Sequence, residues 1–69
     1  MNTAQKAIKA FEESVDFDNV AAIFEAESFG TSGLYNYAVF ADGSAIKICS
    51  DYDIEECGNA EAIDAIEQQ

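Results

Sequence analysis

The chain predicts an α+β fold: a three-stranded antiparallel meander with an N-terminal and a C-terminal helix packed on one face, in the order α-β-β-β-α. Three observations carry that expectation. Apolar residues recur at helical spacing near both ends of the chain. The middle stretch, Leu34 to Ala41, is rich in tyrosine, valine and phenylalanine, as strands are. Asp42-Gly43 follows it directly, a strong two-residue hairpin signal.

The first segment is Thr3 to about Val15. Ala4, Ala7, Ile8, Phe11 and Val15 recur at steps of three and four, which describes an amphipathic helix. Asn2 or Thr3 can cap it. Lys6, Lys9, Glu12 and Glu13 fall on the wet side. Asp16 to Asn19 are polar turn formers that end it.

Val20 to Phe29 fits a helix by its alanines and its Val20/Ile23/Phe24 spacing, and fits a strand by alternation. The strand reading is preferred because it agrees with the turns that follow. Gly30-Thr31-Ser32-Gly33 reads as a four-residue loop. It pairs Phe29 with Leu34 and Phe24 with Val39. The two-residue turn at Asp42-Gly43 pairs Val39 with Ile46 and Tyr37 with Ile48. One face then collects Phe24, Ala26, Tyr35, Tyr37, Val39, Ile46 and Ile48. The other collects Glu25, Glu27, Asn36, Ala38, Lys47, Ile23, Phe40 and Cys49. The first is apolar and the second mixed, as expected of a sheet covered on one side. From about Asn59, Ala62, Ile63 and Ile66 form the apolar stripe of the closing helix, with Ile54 and Cys57 in a short turn before it.

Residues 1–69 are expected to form a single small acidic domain. No apolar run is long enough to cross a bilayer, and the N-terminal segment lacks the apolar core of a signal peptide. A cytoplasmic location is expected. Cys49 and Cys57 are then read as reduced thiols filling apolar space. Their spacing, without histidine, is not that of a zinc site.

Charge is the most informative property. Fourteen acidic side chains stand against three lysines, with no arginine and no histidine, giving a net charge of −11 and a pI near 4.1. Yet 49% of the residues are hydrophobic, so the pattern is that of a folded domain and not a disordered acidic tail. Such a surface repels nucleic acid and anionic membranes. Without histidine, serine- and cysteine-nucleophile constellations that need an imidazole base have no material. No enzymatic activity and no cofactor are expected.

Two smaller motifs are explained structurally. Asp51, Asp53 and Glu55 resemble the start of an EF-hand loop, but Glu56 stands where glycine is needed and Ala62 where glutamate is. No metal is expected. Gly30 and Gly33 lack the strand–loop–helix context and nearby cation of a phosphate loop.

The acids themselves remain. Seven of the fourteen lie between Asp51 and Glu67. Glu61, Asp64 and Glu67 recur every three residues along one helical stripe. Duplex DNA presents one charge per ~1.7 Å of axis. About ten carboxylates across a small domain approach that density. Asp51, Asp53, Glu55, Glu56, Glu61, Asp64 and Glu67, with Glu25 and Glu27 secondary, are therefore the candidate contacts to lysines and arginines of a DNA-binding protein.

A short, acidic, one-domain α/β chain with the hairpin Tyr35-Asn36-Tyr37-Ala38-Val39-Phe40-Ala41-Asp42-Gly43-Ser44 resembles the small anti-CRISPR proteins of phages and mobile elements. Several of these are double-stranded DNA mimics. The resemblance rests on overall character and on no diagnostic motif. It implies a partner in the basic DNA-binding surface of a CRISPR interference complex, a type I Cascade at its large or backbone subunits. It implies no direct contact with nucleic acid or membrane, and either a monomer or a homodimer. The alternative is a small interaction module or homodimer whose charge serves solubility, binding through an apolar patch at Ile23 and Phe40.

Overall fold

In the computed structural model, which describes residues 1–49 and 53–68, three helices flank a four-stranded antiparallel sheet. The elements are α1 (Thr3–Glu12), α2 (Phe17–Ile23), β1 (Ser28–Ser32), β2 (Tyr35–Val39), β3 (Ala45–Cys49), β4 (Ile54–Cys57) and α3 (Asn59–Glu67), and the strands lie side by side in chain order. The α+β class is as expected. The strand count is four, not three, and the helices lie on both faces of the sheet.

α1 begins at an Asn2 cap. The Asn2 side chain accepts the Gln5 N–H at 2.8 Å, and Gln5 Oε1 accepts the Asn2 N–H at 3.0 Å, a reciprocal capping box. The next two helix N–H groups are satisfied from far along the chain. Thr3 N–H donates to Asp42 Oδ2 at 2.8 Å, and Ala4 N–H donates to Ser44 Oγ at 3.0 Å. The β2–β3 turn thus completes the cap and puts a carboxylate at the positive end of the helix. The helix stops at Glu12, short of the expected Val15, because Ser14 adopts a left-handed φ of 78°. Val15 still packs on the core.

The segment from Val20 corrects the strand expectation. Asp16 caps α2 by accepting the Asn19 N–H at 2.9 Å, and the Val20/Phe24 spacing serves a helix face. Glu25, at φ 56°, turns the chain out of it. The strand begins only at Ser28. It runs through Gly30 to Ser32, so residues assigned to a loop are ladder residues. Gly33-Leu34 makes a two-residue turn, with Gly33 at φ 62°.

The β2–β3 connection differs by one residue from the expected register, with large consequences. Phe40 N–H donates to Ser44 O, and Gly43 N–H to Phe40 O, both at 2.9 Å; Gly43 has φ 85°. This is a three-residue loop closed by a left-handed glycine, and not a two-residue turn. It pairs Val39 with Ala45 and Ala38 with Ile46. A one-residue slip sends every β3 side chain to the other face. Ile46 and Ile48 therefore join Ala38 and Phe40, while Tyr37 and Val39 lie with Ala45.

Both faces are consequently apolar at the centre of the sheet. α1 and α2 cover Ala38, Phe40, Ile46 and Ile48 with Ala4, Ala7, Phe17 and Val20. α3 covers Tyr37, Val39 and Ala45 with Ala62, and with Ala65 and Ile66 partly buried around it. The proposed docking patch at Ile23 and Phe40 is thereby divided. Ile23 is 56% exposed, but Phe40 is 1% exposed, edge-on to Phe24 at 6.4 Å. The acidic segment expected to be turn and loop contains β4, the fourth strand, with Ile48 opposite Ile54 and Ala45 opposite Cys57.

This register decides the cysteines. Cys57 lies opposite Ala45, four residues along β3 from Cys49, roughly 13 Å at strand rise. A disulfide needs Cα atoms within about 7 Å. Both are free thiols. Burial, and then the nearby Glu61 carboxylate, push the Cys57 thiol up to about 11. Alkylation of Cys57 by iodoacetamide at pH 8 is expected to run roughly a hundredfold slower than that of an unstructured thiol, because the thiolate fraction is that much smaller. Mass spectrometry of timed quenches in buffer and in urea would measure it. Equal rates would contradict the burial.

Asp42 gives an acid-side prediction. Its carboxylate accepts the Ser44 hydroxyl, the Thr3 N–H and the Ser44 N–H, which together hold it well below the usual carboxylate range. In the unfolded chain it titrates near about 3.9. Between the two values the unfolded state binds more protons, so stability rises with pH there. The contribution is complete above about pH 5 and is lost as pH falls through and below about 4. Asp42→Asn is expected to flatten the stability profile between pH 3 and 5, read by urea titration at each pH. An unchanged slope would remove Asp42 as its source.

Candidate partner-binding surface

The nine candidate acids are distributed by strand parity and helix phase. Glu55 and Glu56 are adjacent on β4 and so point to opposite faces of the sheet. Glu55 lies beside Lys47, on the α3 face. Glu56 lies on the α1 face, where its Oε2 accepts Asn2 Nδ2–H at 2.8 Å. Asp53 is exposed at the start of the hairpin return, its carbonyl accepting the Cys49 N–H at 2.9 Å. Asp51 lies outside the described residues.

Glu61, Asp64 and Glu67 are all exposed on α3. Glu61 reaches back to the sheet. Lys47 Nζ lies 3.3 Å from Glu61 Oε2 and 3.3 Å from Glu55 Oε1, and 5.2 Å from the centroid of the Tyr35 ring. The two carboxylates, Glu61 before Glu55, push the Lys47 ammonium up to about 12. Lys47 is therefore a clamp: one cation ties the first turn of α3 and the middle of β4 to β3. Beneath it Tyr37 is 7% exposed, and burial followed by Glu61 raises its hydroxyl pKa. Nothing in sequence spacing marks this clamp, because its members are eight and fourteen residues apart.

Glu25 and Glu27 are exposed on the connection leading into β1, the strand against which α3 packs most extensively. The Glu27 N–H donates to Val39 O at 2.8 Å, which pins this connection to the sheet. The other two lysines, Lys6 and Lys9, are exposed on α1, across the sheet from α3. On the α3 face, Glu55, Glu61, Asp64 and Glu67 thus stand against Lys47 alone among the described residues. Lys47 is engaged twice. Among those residues no ion pair involves Glu25, Glu27, Asp64 or Glu67. The array expected from sequence is therefore split: Glu56 lies on the α1 face, and Glu25 and Glu27 flank Ala26, which packs on the α1–α2 core.

Among the described residues no group of three or more histidine, cysteine, aspartate or glutamate side chains converges to hold a metal, and no helix is long and apolar enough to cross a membrane. The chain matches no family model, and neither a curated protein nor a solved structure is significantly similar to it.

Proposed function

We propose that the chain is a non-catalytic inhibitor that acts as a double-stranded DNA mimic, using its α3 side to occupy the basic DNA-binding surface of another protein. The observation that carries this reading is the state of Lys47. Among the described residues the one lysine on that side is paired internally with Glu55 and Glu61, and α3 is held on the sheet by Ala62, Ala65 and Ile66. Asp64 and Glu67 then project from an anchored helix, three residues or about 4.5 Å of rise apart, with Glu25 and Glu27 on the neighbouring connection. Anions held on a rigid scaffold lose little side-chain and backbone freedom on binding, unlike those of a disordered tail.

The resemblance to anti-CRISPR proteins makes a type I Cascade the first target to test. The experiment is competition: purified complex, labelled target duplex, and increasing amounts of this chain. The chain is expected to displace the duplex, and its potency is expected to fall by about tenfold or more between 100 and 300 mM salt, as counterions compete. Displacement that is indifferent to salt would contradict mimicry. Failure to displace DNA from Cascade or any other basic DNA-binding complex tested would end the reading.

A further inference from the structure

β1 is the exposed end of the sheet, and its hydrogen-bonding pattern follows from its turn. A two-residue turn requires Ser32 and Tyr35 to be a directly bonded pair. Alternation along an antiparallel ladder makes Gly30–Tyr37 and Ser28–Val39 the next such pairs. Phe29 lies between them, so its N–H and C=O both turn away from β2. Its side chain is 45% exposed and rests on the Phe17 ring, with centroids 5.1 Å apart.

Edge strands usually carry a lysine, a proline or an inward-pointing charge that discourages pairing. β1 reads Ser-Phe-Gly-Thr-Ser and carries none of these. Exposed apolar groups stand nearby: Leu34 in the turn that closes the hairpin, and Ile63 on α3, the helix packed over β1. The electrical surroundings are one-sided. No basic residue occurs between Lys9 and Lys47, while seven acids do, with Glu25 and Glu27 just before β1. A second copy of this chain would bring a net charge of −11 against −11 across that edge.

We propose that β1 is a docking edge that accepts an extended basic segment of a partner protein as a fifth strand. The partner's backbone pairs with Phe29. A side chain directly opposite Phe29 shares its face, so an apolar residue is favoured there. Lysine or arginine at flanking positions reaches Glu25 and Glu27. Main-chain pairing supplies affinity and the acids select charge. This rests on the mimic reading only in taking the partner to be basic.

The test uses the ¹⁵N-labelled full chain and two eight-residue peptides of alternating lysine and valine. One has an ordinary backbone; the other is N-methylated at its valines, with the same charge but fewer donors. The ordinary peptide is expected to slow Phe29 amide exchange by about tenfold or more and to shift resonances from Glu25 to Ser32. The methylated peptide is expected to bind about tenfold more weakly. Phe29→Lys is expected to weaken the ordinary peptide similarly while the chain stays folded, its thermal midpoint lowered by only several degrees for the lost contact with Phe17. Equal binding of the two peptides, or shifts centred on α3, would overturn strand addition and leave DNA mimicry standing. Concentration-dependent dimerisation that protects Phe29 would assign the edge to a second copy and overturn the proposed occupant. Peptide binding at β1 without displacement of DNA from any basic complex would preserve this inference and remove the mimic reading.

Discussion

Phe40→Ala is expected to lower the thermal midpoint by about 12 °C or more. Phe40 is 1% exposed, among the largest fully buried side chains, and it lies where α1, α2 and the sheet meet. Removing a buried phenylalanine ring costs about 3–5 kcal/mol, the lost transfer energy plus the cavity. A domain of this length has roughly 3–10 kcal/mol to lose. The deletion therefore consumes much or all of the stability. Phe40→Leu keeps most of the volume and should cost less than about 1.5 kcal/mol. Circular dichroism during thermal and urea unfolding separates the two. A Phe40→Ala variant that melts within a few degrees of the parent would show that the α1–α2 layer is not anchored by this ring.

Reversing Glu25, Glu27, Asp64 and Glu67 to lysine is expected to abolish competition with DNA. The change moves the net charge from −11 to −3, two units per site. Each acid at a rim is worth at most about 1 kcal/mol, so a single reversal does little. Four reversals replace attraction by repulsion at four places, which amounts to roughly a hundredfold or more in affinity. The fold should survive, because all four residues are exposed and none caps a helix. The control reverses Glu12, Glu13 and Asp18, exposed acids on the α1–α2 side. That triple variant should still compete. Equal loss in both variants would mean that net charge acts without a face. Retained competition in the quadruple variant would remove these four acids as the contact.

The sequence was most informative where short-range chemistry decides. The Ala4/Ala7/Ile8/Phe11 spacing located α1, with the structure choosing Asn2 over Thr3 as its cap, and the Ala62/Ile63/Ile66 stripe located α3 at Asn59. Gly33 and Gly43 are turn residues, as their sequence context indicates, but their connections hold two and three residues where four and two are expected. Asp-Gly suits a two-residue turn, and it equally suits a three-residue loop with glycine in the left-handed position. The choice between them depends on what Asp42 does. Its carboxylate is committed to Thr3 N–H, thirty-nine residues away, and no local pattern announces that bond.

The same limit applies to the surface. Composition alone established an intensely anionic chain with only three lysines, and the basic partner proposed above rests on that charge. Which acids share a side was decided by the fold. β4 parity separates Glu55 from Glu56, and the Lys47 clamp gathers Glu55 and Glu61 from distant segments. The edge position of β1, which exposes the backbone of Phe29, follows from strand order.

Local propensity and total charge are sums over neighbouring or independent residues, so they can be read from the chain as written. Register, face and edge are set when non-local hydrogen bonds close, and a single-residue shift at one loop reversed an entire strand. The helical segments near both ends and the anionic character belong to the sequence; the two-sided core, the division of the carboxylates and the open strand edge belong to the tertiary structure, because long-range contacts between residues such as Thr3 and Asp42 choose among locally equivalent turns.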